Sequence, residues 1–130
     1  MPGKRRPCLA RILVVDDRQM VRHVIAQILQ QWGHTVDLAK NGQDALARFA
    51  ADPADLVVLD MFMPLMNGFD ALVVFRYRYP DTKVLAMSGG GECVMEDALA
   101  EAKKLGAHAV LAKPFGAEEM LETVSGLLAD

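Results

Sequence analysis

The chain has 130 residues, of which 52% are hydrophobic and 24% are charged, and its formal net charge is −3. This length predicts one domain with a real core, and this composition excludes a disordered chain. The mild negative charge argues against nucleic acid as a direct partner, and no apolar run approaches the ~20 residues that span a bilayer. We therefore expect a cytoplasmic protein that contacts neither nucleic acid nor a membrane directly.

The first ten residues, MPGKRRPCLA, differ in character from the rest of the chain. They contain two prolines, a glycine and three consecutive basic residues, which predicts a flexible tail over residues 1–10. Residues 11–129 show no internal repeat, low-complexity segment or composition break, so we expect them to form a single domain. The chain has two cysteines, which form no metal-binding motif and are interpreted as incidental thiols.

The first strand and helix signals follow the tail. Arg11–Val15 (RILVV) is a candidate buried strand, and it ends in Asp16 and Asp17. Apolar residues then recur from Val21 to Trp32 at the spacing of an amphipathic helix, and Gly33 is a typical helix stop.

The next two elements are an edge strand and a capped helix. Thr35–Ala39 alternates between polar and apolar residues, which predicts an edge strand. Asn41 is a candidate cap for a helix whose inner face includes Ala45 and Phe49, and Asp52-Pro53 ends that helix.

The run Leu56–Asp60 (LVVLD) has four apolar residues followed by one carboxylate. Such a continuous run predicts a strand buried on both faces, as in a parallel sheet. Pro64 disfavours continuing the strand, and Asn67-Gly68 marks a turn that caps a helix from Phe69 to about Tyr79.

Two more strand–helix pairs complete the chain. Lys83–Met87 is the fourth strand, and Ser88 and three glycines follow it before a helix from about Glu92 to Leu105. Gly106 stops that helix. Ala109–Ala112 is the fifth strand, followed by Lys113-Pro114 and a last helix over Ala117–Leu128.

Five strands that alternate with five helices through short connections predict an α/β fold with a mostly parallel sheet. Right-handed crossovers then place helices on both faces of that sheet. In a parallel sheet all strand carboxyl ends lie along one edge, and ligands bind at that edge in open α/β sheets.

Four of the predicted strands deliver a polar side chain to this edge. The side chains are those of Asp16 and Asp17 after the first strand, Asp60 at the end of the third, Ser88 after the fourth and Lys113 after the fifth. Each residue taken alone is more often a turn residue, a helix cap or a solvated charge. Four strands that each bring one to the same edge are much less frequent by chance, so we interpret them as one site.

The chemistry of this set favours phosphoryl transfer. Carboxylates gathered in one cleft raise one another's pKa or bind a cation, and a few oxygen ligands favour Mg²⁺. Lys113 is a point charge that suits a phosphate oxygen, and the Ser88 hydroxyl is a donor to another. A carboxylate can itself be the nucleophile and form an aspartyl phosphate. Asp60, at the end of the central strand, is the candidate.

At this point the sequence resembles a known family, the receiver domains of bacterial two-component response regulators. The matching segments are LVVDD with Asp16 and Asp17, LVVLDMFMPLMNG with Asp60, AMSG with Ser88, and AKPF with Lys113. No one of these motifs is decisive, but the four in this order and spacing are highly specific. The resemblance covers about residues 11–128.

The resemblance implies a fold and a set of roles. The fold is a single flavodoxin-like (βα)5 domain with strand order 2-1-3-4-5. Asp60 would accept a phosphoryl group from a sensor histidine kinase, a phosphotransfer protein or a small phosphodonor. Asp17, Asp60 and the backbone carbonyl of Phe62 would bind Mg²⁺ (or Mn²⁺), and Asp16 would act mainly through a metal-bound water.

Further implied roles concern the switch and its output. Lys113 would pair with Asp60 and then with the phosphoryl oxygens, and the Lys113–Pro114 bond would be cis. Ser88 would move to bind the phosphoryl group, so that the helix 4–strand 5–helix 5 face changes its affinity for a downstream protein. The chain would be a phosphoprotein, monomeric or weakly dimeric, that catalyses only its own phosphoryl transfer and dephosphorylation.

Two positions depart from the family's usual pattern or vary within it. Val110 lies where the family often has a switch aromatic, and we hypothesise that the glycine-rich loop after Ser88 carries more of the signal instead. Phe62 follows Asp60 by two residues. Its ring either shields the aspartyl phosphate from water or packs outward on a neighbouring loop, and the sequence does not separate these alternatives.

Other functions fit the sequence less well. A haloacid-dehalogenase-like phosphatase needs an Asp-x-Asp motif, but Met61 and Phe62 follow Asp60. A flavin-binding flavodoxin-like module needs a Ser/Thr/Gly-rich phosphate loop where this chain has Asp16-Asp17-Arg18. A degenerate receiver that acts only as a scaffold is disfavoured because every phosphorylation residue is present. The sequence is compatible with a single-domain regulator without an output domain and with a receiver excised from a larger protein.

Overall fold

The computed structural model describes residues 9–63, 66–89 and 95–129. Its strands are β1 (Arg11–Val15), β2 (Thr35–Ala39), β3 (Leu56–Asp60), β4 (Lys83–Ser88) and β5 (Ala109–Ala112). Its helices are α1 (Gln19–Gln31), α2 (Gly42–Ala51), α3 (Gly68–Arg78), α4 (Met95–Lys104) and α5 (Ala117–Leu128). The tail predicted for residues 1–10 lies outside the described residues except for Leu9 and Ala10. Within the described ranges, every helix is too short or too polar to span a bilayer.

The five strands form one parallel sheet in the order β2-β1-β3-β4-β5. The predicted α/β architecture and the order implied by the family resemblance are therefore confirmed. All five residues of β3, the central strand, are buried. This burial explains why β3 is an unbroken apolar run, since neither of its faces meets water.

The core has two halves because successive side chains of a strand point to opposite faces of the sheet. On one face, Leu13 and Leu59 pack with Phe49 of α2 and Phe75 of α3. On the other face, the strand residues pack with α1 and α5. These residues include Ile12, Val14, Val58, Ile25, Leu29, Met120 and Val124. The helices therefore lie on both faces, as predicted.

The predicted helix signals act as expected. The side chains of Asn41 and Asn67 accept hydrogen bonds from the backbone N–H groups of Asp44 (2.7 Å) and Asp70 (3.0 Å), so both asparagines cap their helices. Gly33 and Gly106 follow α1 and α4 with φ of +95° and +109°. Only glycine adopts such positive φ values at low cost, which explains both helix stops.

Strand β4 differs from its prediction because it is one residue longer. Ser88 pairs with Ala112, and the Lys113 N–H donates to the Ser88 carbonyl at 2.8 Å, so the ladder continues through Ser88. Ser88 is thus the last residue of the strand and not the first of the loop. The start predicted for α4 near Glu92 falls outside the described residues.

Candidate functional site

The parallel sheet brings the predicted polar residues together at its carboxyl edge. Asp16 and Asp17 follow β1, Asp60 ends β3, and the three carboxylates offer oxygen atoms that all lie within 4.8 Å of one another. Asp16 is 0% and Asp60 is 3% exposed, whereas Asp17 is open to solvent. The site therefore has two buried carboxylates and one that solvent reaches.

Lys113 places a positive charge between the two buried carboxylates. Its Nζ lies 2.6 Å from Asp16 Oδ2 and 3.6 Å from Asp60 Oδ1. The resemblance implied a pair with Asp60, but the hydrogen bond is made to Asp16 and the contact with Asp60 is longer. Both carboxylates are buried, and an unpaired buried carboxylate is costly, so Lys113 offsets the charge of each.

Two arginines hold the Asp16 segment in position. The backbone N–H of Arg18 donates to Asp16 Oδ1 at 2.9 Å, and the Arg22 guanidinium donates to the Asp16 carbonyl at 2.8 Å. The sequence analysis did not identify Arg22. In the sequence, Arg22 is visible only as a basic residue in the first turn of α1, six positions after Asp16. An ordinary solvent-exposed arginine on a helix would look the same.

Asp60 has an unusual acidity because of its surroundings. Burial raises the pKa of its carboxyl group to about 6, Lys113 opposes this rise, and the negative charges of Asp16 and Asp17 add to it. The backbone N–H of Phe62, 3.4 Å from Asp60 Oδ1, also favours the ionised form. A site that disfavours its own negative charge in this way gains from any cation that joins it.

Gly68 allows the chain to pass close behind Asp60. A Cβ atom at this position would lie 2.1 Å from the Asp60 carbonyl oxygen and 2.4 Å from Met61 Cα, which no side chain tolerates. The Gly68 N–H also donates to the Met61 carbonyl at 3.0 Å. The sequence identified Gly68 as a turn residue and as part of the segment LVVLDMFMPLMNG that carries the family resemblance. Its closeness to the backbone of β3 is a tertiary contact with no local signal.

Ser88 has a free hydroxyl at the same edge. Its Oγ is buried and has no hydrogen-bond partner among the residues that the structure describes. A buried hydroxyl without a partner is costly, so the Ser88 hydroxyl is available to a ligand or a water molecule at this edge. Gly89 then packs on Lys113, since a Cβ at Gly89 would lie 2.9 Å from carbons of that side chain.

Phe62 and Val110 occupy the remaining predicted positions. The Phe62 ring is 47% exposed and packs edge-to-face on Phe69 of α3, with ring centroids 5.9 Å apart. This placement is the outward-packing alternative, with a helix as the neighbour in place of a loop. Val110 pairs with Ala86 and is partly buried against the core half that contains α2 and α3. The Lys113–Pro114 bond is cis.

The donor set fits a small hard cation. Three carboxylates with oxygens within 4.8 Å of one another offer the oxygen ligands that Mg²⁺ prefers, and solvent access at Asp17 leaves room for the waters that Mg²⁺ keeps. Asp16, Asp17 and Asp60 would hold the ion. The Phe62 carbonyl follows Asp60 by two residues, and its role as a fourth ligand stays a prediction.

Comparisons with known proteins agree with this geometry. The family model described as "Response regulator receiver domain" matches residues 12–125. Chemotaxis protein CheY of Thermotoga maritima is 32% identical over 116 residues, which cover 88% of this chain and 94% of that protein. The alkaline phosphatase synthesis transcriptional regulatory protein SphR of Synechococcus elongatus is 35% identical over 128 residues, which cover 92% of this chain. The chain spans about half the length of SphR and of the similar MprA response regulators.

Solved structures give the same result. The receiver domain of NtrX from Brucella abortus superposes with a TM-score of 0.85 at 29% identity, covering 91% of this chain and 98% of that one. Chemotaxis protein CheY4 of Vibrio cholerae superposes with a TM-score of 0.81 at 30% identity, covering 92% of this chain and 99% of that one. The chain therefore belongs to the response regulator receiver domain family.

Proposed function

We propose that this receiver domain is a switch operated by phosphorylation, in which Asp60 accepts a phosphoryl group in the presence of Mg²⁺. The observation that carries the proposal is the arrangement at the sheet edge: three carboxylates with oxygens within 4.8 Å of one another, with Lys113 2.6 Å from one and 3.6 Å from another. Phosphoryl transfer depends mostly on positioning and charge neutralisation, and this site supplies both.

The residues divide the chemistry between them. A carboxylate oxygen of Asp60 attacks phosphorus while the bond from phosphorus to the donor's histidine nitrogen breaks. The departing imidazole keeps the electron pair and takes a proton from solvent. Lys113 neutralises negative charge on the phosphoryl oxygens, and the free Ser88 hydroxyl donates to one of them. Bound Mg²⁺ supplies the further positive charge that three carboxylates and a phosphoryl group require.

The donor reaches Asp60 from the side of α1. Asp60 itself is almost fully buried, so a protein donor needs a docking surface beside it. Met20 (78% exposed) and Val24 (51% exposed) lie on α1 at an apolar cleft of about 390 Å³ that Lys113 also lines. Its other lining residues are Arg18, Val21, Ile25, Pro114 and Phe115. We assign this cleft to a sensor histidine kinase or a phosphotransfer protein.

The output follows from Ser88 and β5. Ser88 pairs with Ala112, and Ala86 pairs with Val110, so a shift of Ser88 toward a phosphoryl group pulls on β5 and the α4–β5–α5 face. A downstream protein reads that face. With Val110 in place of an aromatic, we assign part of the signal to the loop after Gly89, whose residues 90–94 lie outside the described part of the chain. The protein acts in the cytoplasm and modifies its own side chain, so it is no enzyme with an external product.

The proposal is tested by intact mass spectrometry after incubation with acetyl phosphate. The wild type is expected to gain the mass of one phosphoryl group with Mg²⁺ and none with EDTA, and Asp60→Asn is expected to gain none. Asp81→Asn is the matched control, since Asp81 is an exposed turn residue outside the site, and it should behave as the wild type. Because some receivers accept only from a kinase, the same measurement is made with a panel of phosphorylated histidine kinases. No gain from any donor would overturn the proposal.

A further inference from the structure

Two histidines form the same unusual contact at opposite edges of the sheet. His34 directly precedes β2, and its Nδ1 accepts a hydrogen bond from the Ala10 backbone N–H at 3.1 Å. His108 directly precedes β5, and its Nδ1 accepts from the Val84 backbone N–H, also at 3.1 Å. β2 and β5 are the two edge strands. Both contacts lie at the end of the sheet opposite the aspartates.

Each ring replaces a missing backbone acceptor. The Ala10 carbonyl accepts from the Thr35 N–H at 3.0 Å, and the Val84 carbonyl accepts from the His108 N–H at 2.9 Å. In both places the residue next to the edge strand, Ala10 or Val84, uses its carbonyl to accept a backbone hydrogen bond and its N–H to donate to a histidine ring. A buried N–H without an acceptor is costly, and each ring supplies the acceptor at the N-terminal end of an edge strand. In His34 the other ring nitrogen, Nε2, then carries the proton, and it is buried without a partner among the described residues.

The contact requires a neutral ring. An imidazole nitrogen accepts a hydrogen bond only when it carries no proton, and both nitrogens of a protonated histidine are donors. His34 is 4% exposed, and burial lowers the pKa of its ring. No charged side chain among the described residues contributes to that lowering. Burial also lowers the pKa of His108, and the cations Arg76 of α3, Lys83 of β4 and Lys103 of α4 lower it further.

We infer that His34 and His108 form a pair of acid-releasable clamps. The neutral imidazoles hold the N-terminal ends of β2 and β5 against the neighbouring backbone, and protonation of a ring releases the strand end that it holds. The sign follows from linkage. Because the folded protein binds these protons less readily than the unfolded chain does, stability from the clamps is complete above the unfolded histidine pKa of about 6.5. It falls as the pH drops below that value. His108 lies two residues before Val110 of β5. Acid therefore loosens β5, which is part of the proposed α4–β5–α5 output face.

Amide hydrogen exchange followed by NMR tests the inference on the wild-type chain. The protection factors of the Ala10 and Val84 amides, corrected for the intrinsic effect of pH, are expected to fall between pH 7.5 and pH 5. The protection factor falls by at most about tenfold per pH unit below the pKa of the released ring, because each opening takes up one proton. Protection factors that stay constant over this range would overturn the clamps.

Asparagine variants provide a second, independent readout. The amide oxygen of asparagine accepts a hydrogen bond near the position of histidine Nδ1 but does not titrate in this range. His34→Asn should therefore keep the Ala10 amide protected at pH 5, and His108→Asn should do the same for Val84. His23→Asn is the control, since His23 is exposed on α1, and both amides should still lose protection. An equal loss in all three variants would show that the histidines are not responsible.

The cations around His108 separate the two clamps. Lys103→Met removes a positive charge that disfavours protonated His108. The release of Val84 should then move to higher pH, while the release of Ala10 stays where it is. A shift of both amides, or of neither, would contradict the assignment of Val84 to the His108 ring. These readouts need no phosphorylation, so they fail or succeed independently of the proposed function.

Discussion

At the scale of single residues, Asp60 is subject to opposing effects. Burial and the neighbouring aspartates disfavour its negative charge, whereas Lys113 and the Phe62 N–H favour it. The outcome is a pKa raised from 3.8 to about 6. At neutral pH the ionised Asp60 carboxylate is therefore less stable in the folded protein than it is in water. A phosphoryl acceptor must be ionised to act as a nucleophile, so this cost comes with the proposed function.

Asp60→Asn should stabilise the metal-free protein at neutral pH. A pKa difference between 3.8 and about 6, which already includes the opposing effect of Lys113, corresponds to a gain of at most about 3 kcal/mol. Because the folded-state pKa is raised, the gain is complete above pH 6 and disappears as the pH falls below about 4. Urea denaturation in EDTA at pH 7.5 and pH 4 measures it. A variant less stable than the wild type at pH 7.5 would contradict this account of Asp60.

Residue-scale details were the hardest to predict from the sequence. The set of Asp16, Asp17, Asp60, Ser88 and Lys113 was found because each follows or ends a strand, and parallel strands bring those ends together. The expected contact of Lys113 with Asp60 is present at 3.6 Å, but the shorter contact with Asp16 at 2.6 Å was not predicted, because it depends on side-chain positions that differ by about 1 Å. The histidine contacts were also missed, since His34 and His108 have no local pattern that separates them from ordinary loop residues.

At the scale of elements, the sequence predicted all ten helices and strands, with differences at their ends. Buried strands are continuous apolar runs, and asparagine caps and glycine stops have local causes, so these features are readable in the sequence. The end of β4 was misplaced by one residue because Ser88 pairs with Ala112, a partner distant along the chain. The position of Gly68 against β3 likewise depends on a tertiary contact.

Two glycine substitutions should have opposite effects. Gly68→Ala places a carbon 2.1 Å from the Asp60 carbonyl, so α3 or β3 must move. We expect a loss of more than about 2 kcal/mol of unfolding free energy, the upper range for overpacking. Gly126 lies in α5 with nothing within 4 Å of its Cβ position, so Gly126→Ala should stabilise by about 0.5–1 kcal/mol. Thermal unfolding of both variants compares them directly. Equal effects would show that the close approach at Gly68 is relieved without cost.

At the scale of the whole molecule, the sheet separates two kinds of chemistry. Its carboxyl edge holds the carboxylates, Lys113 and the apolar cleft beside α1, whereas its opposite end holds the two histidine contacts. The strands connect these ends through a buried core on both faces. In the proposed function, this sheet positions Asp60 as the acceptor and transmits shifts of Ser88 to β5, with which Ser88 pairs.

Magnesium should stabilise the whole fold through the carboxylate cluster. A ligand that binds only the folded state stabilises it by about 2.7 kcal/mol at one hundred times its dissociation constant. The melting temperature of the wild type should therefore rise with the logarithm of the Mg²⁺ concentration. In EDTA, Asp17→Asn should melt no lower than the wild type, because Asp17 is exposed and its charge repels the Asp60 carboxylate, but it should gain much less from Mg²⁺. Calorimetry with Ca²⁺-free buffers measures both. An undiminished gain in Asp17→Asn would remove Asp17 from the site.

The most direct test of the central claim locates the phosphoryl group itself. After phosphorylation, borohydride reduces an aspartyl acyl phosphate to homoserine, and peptide mass spectrometry identifies the position that changed. We predict homoserine at position 60 and at no other aspartate, with the modification absent in EDTA. Homoserine at position 16 or 17, or a phosphorylated protein with no reducible aspartate, would contradict the assignment of Asp60 as the acceptor.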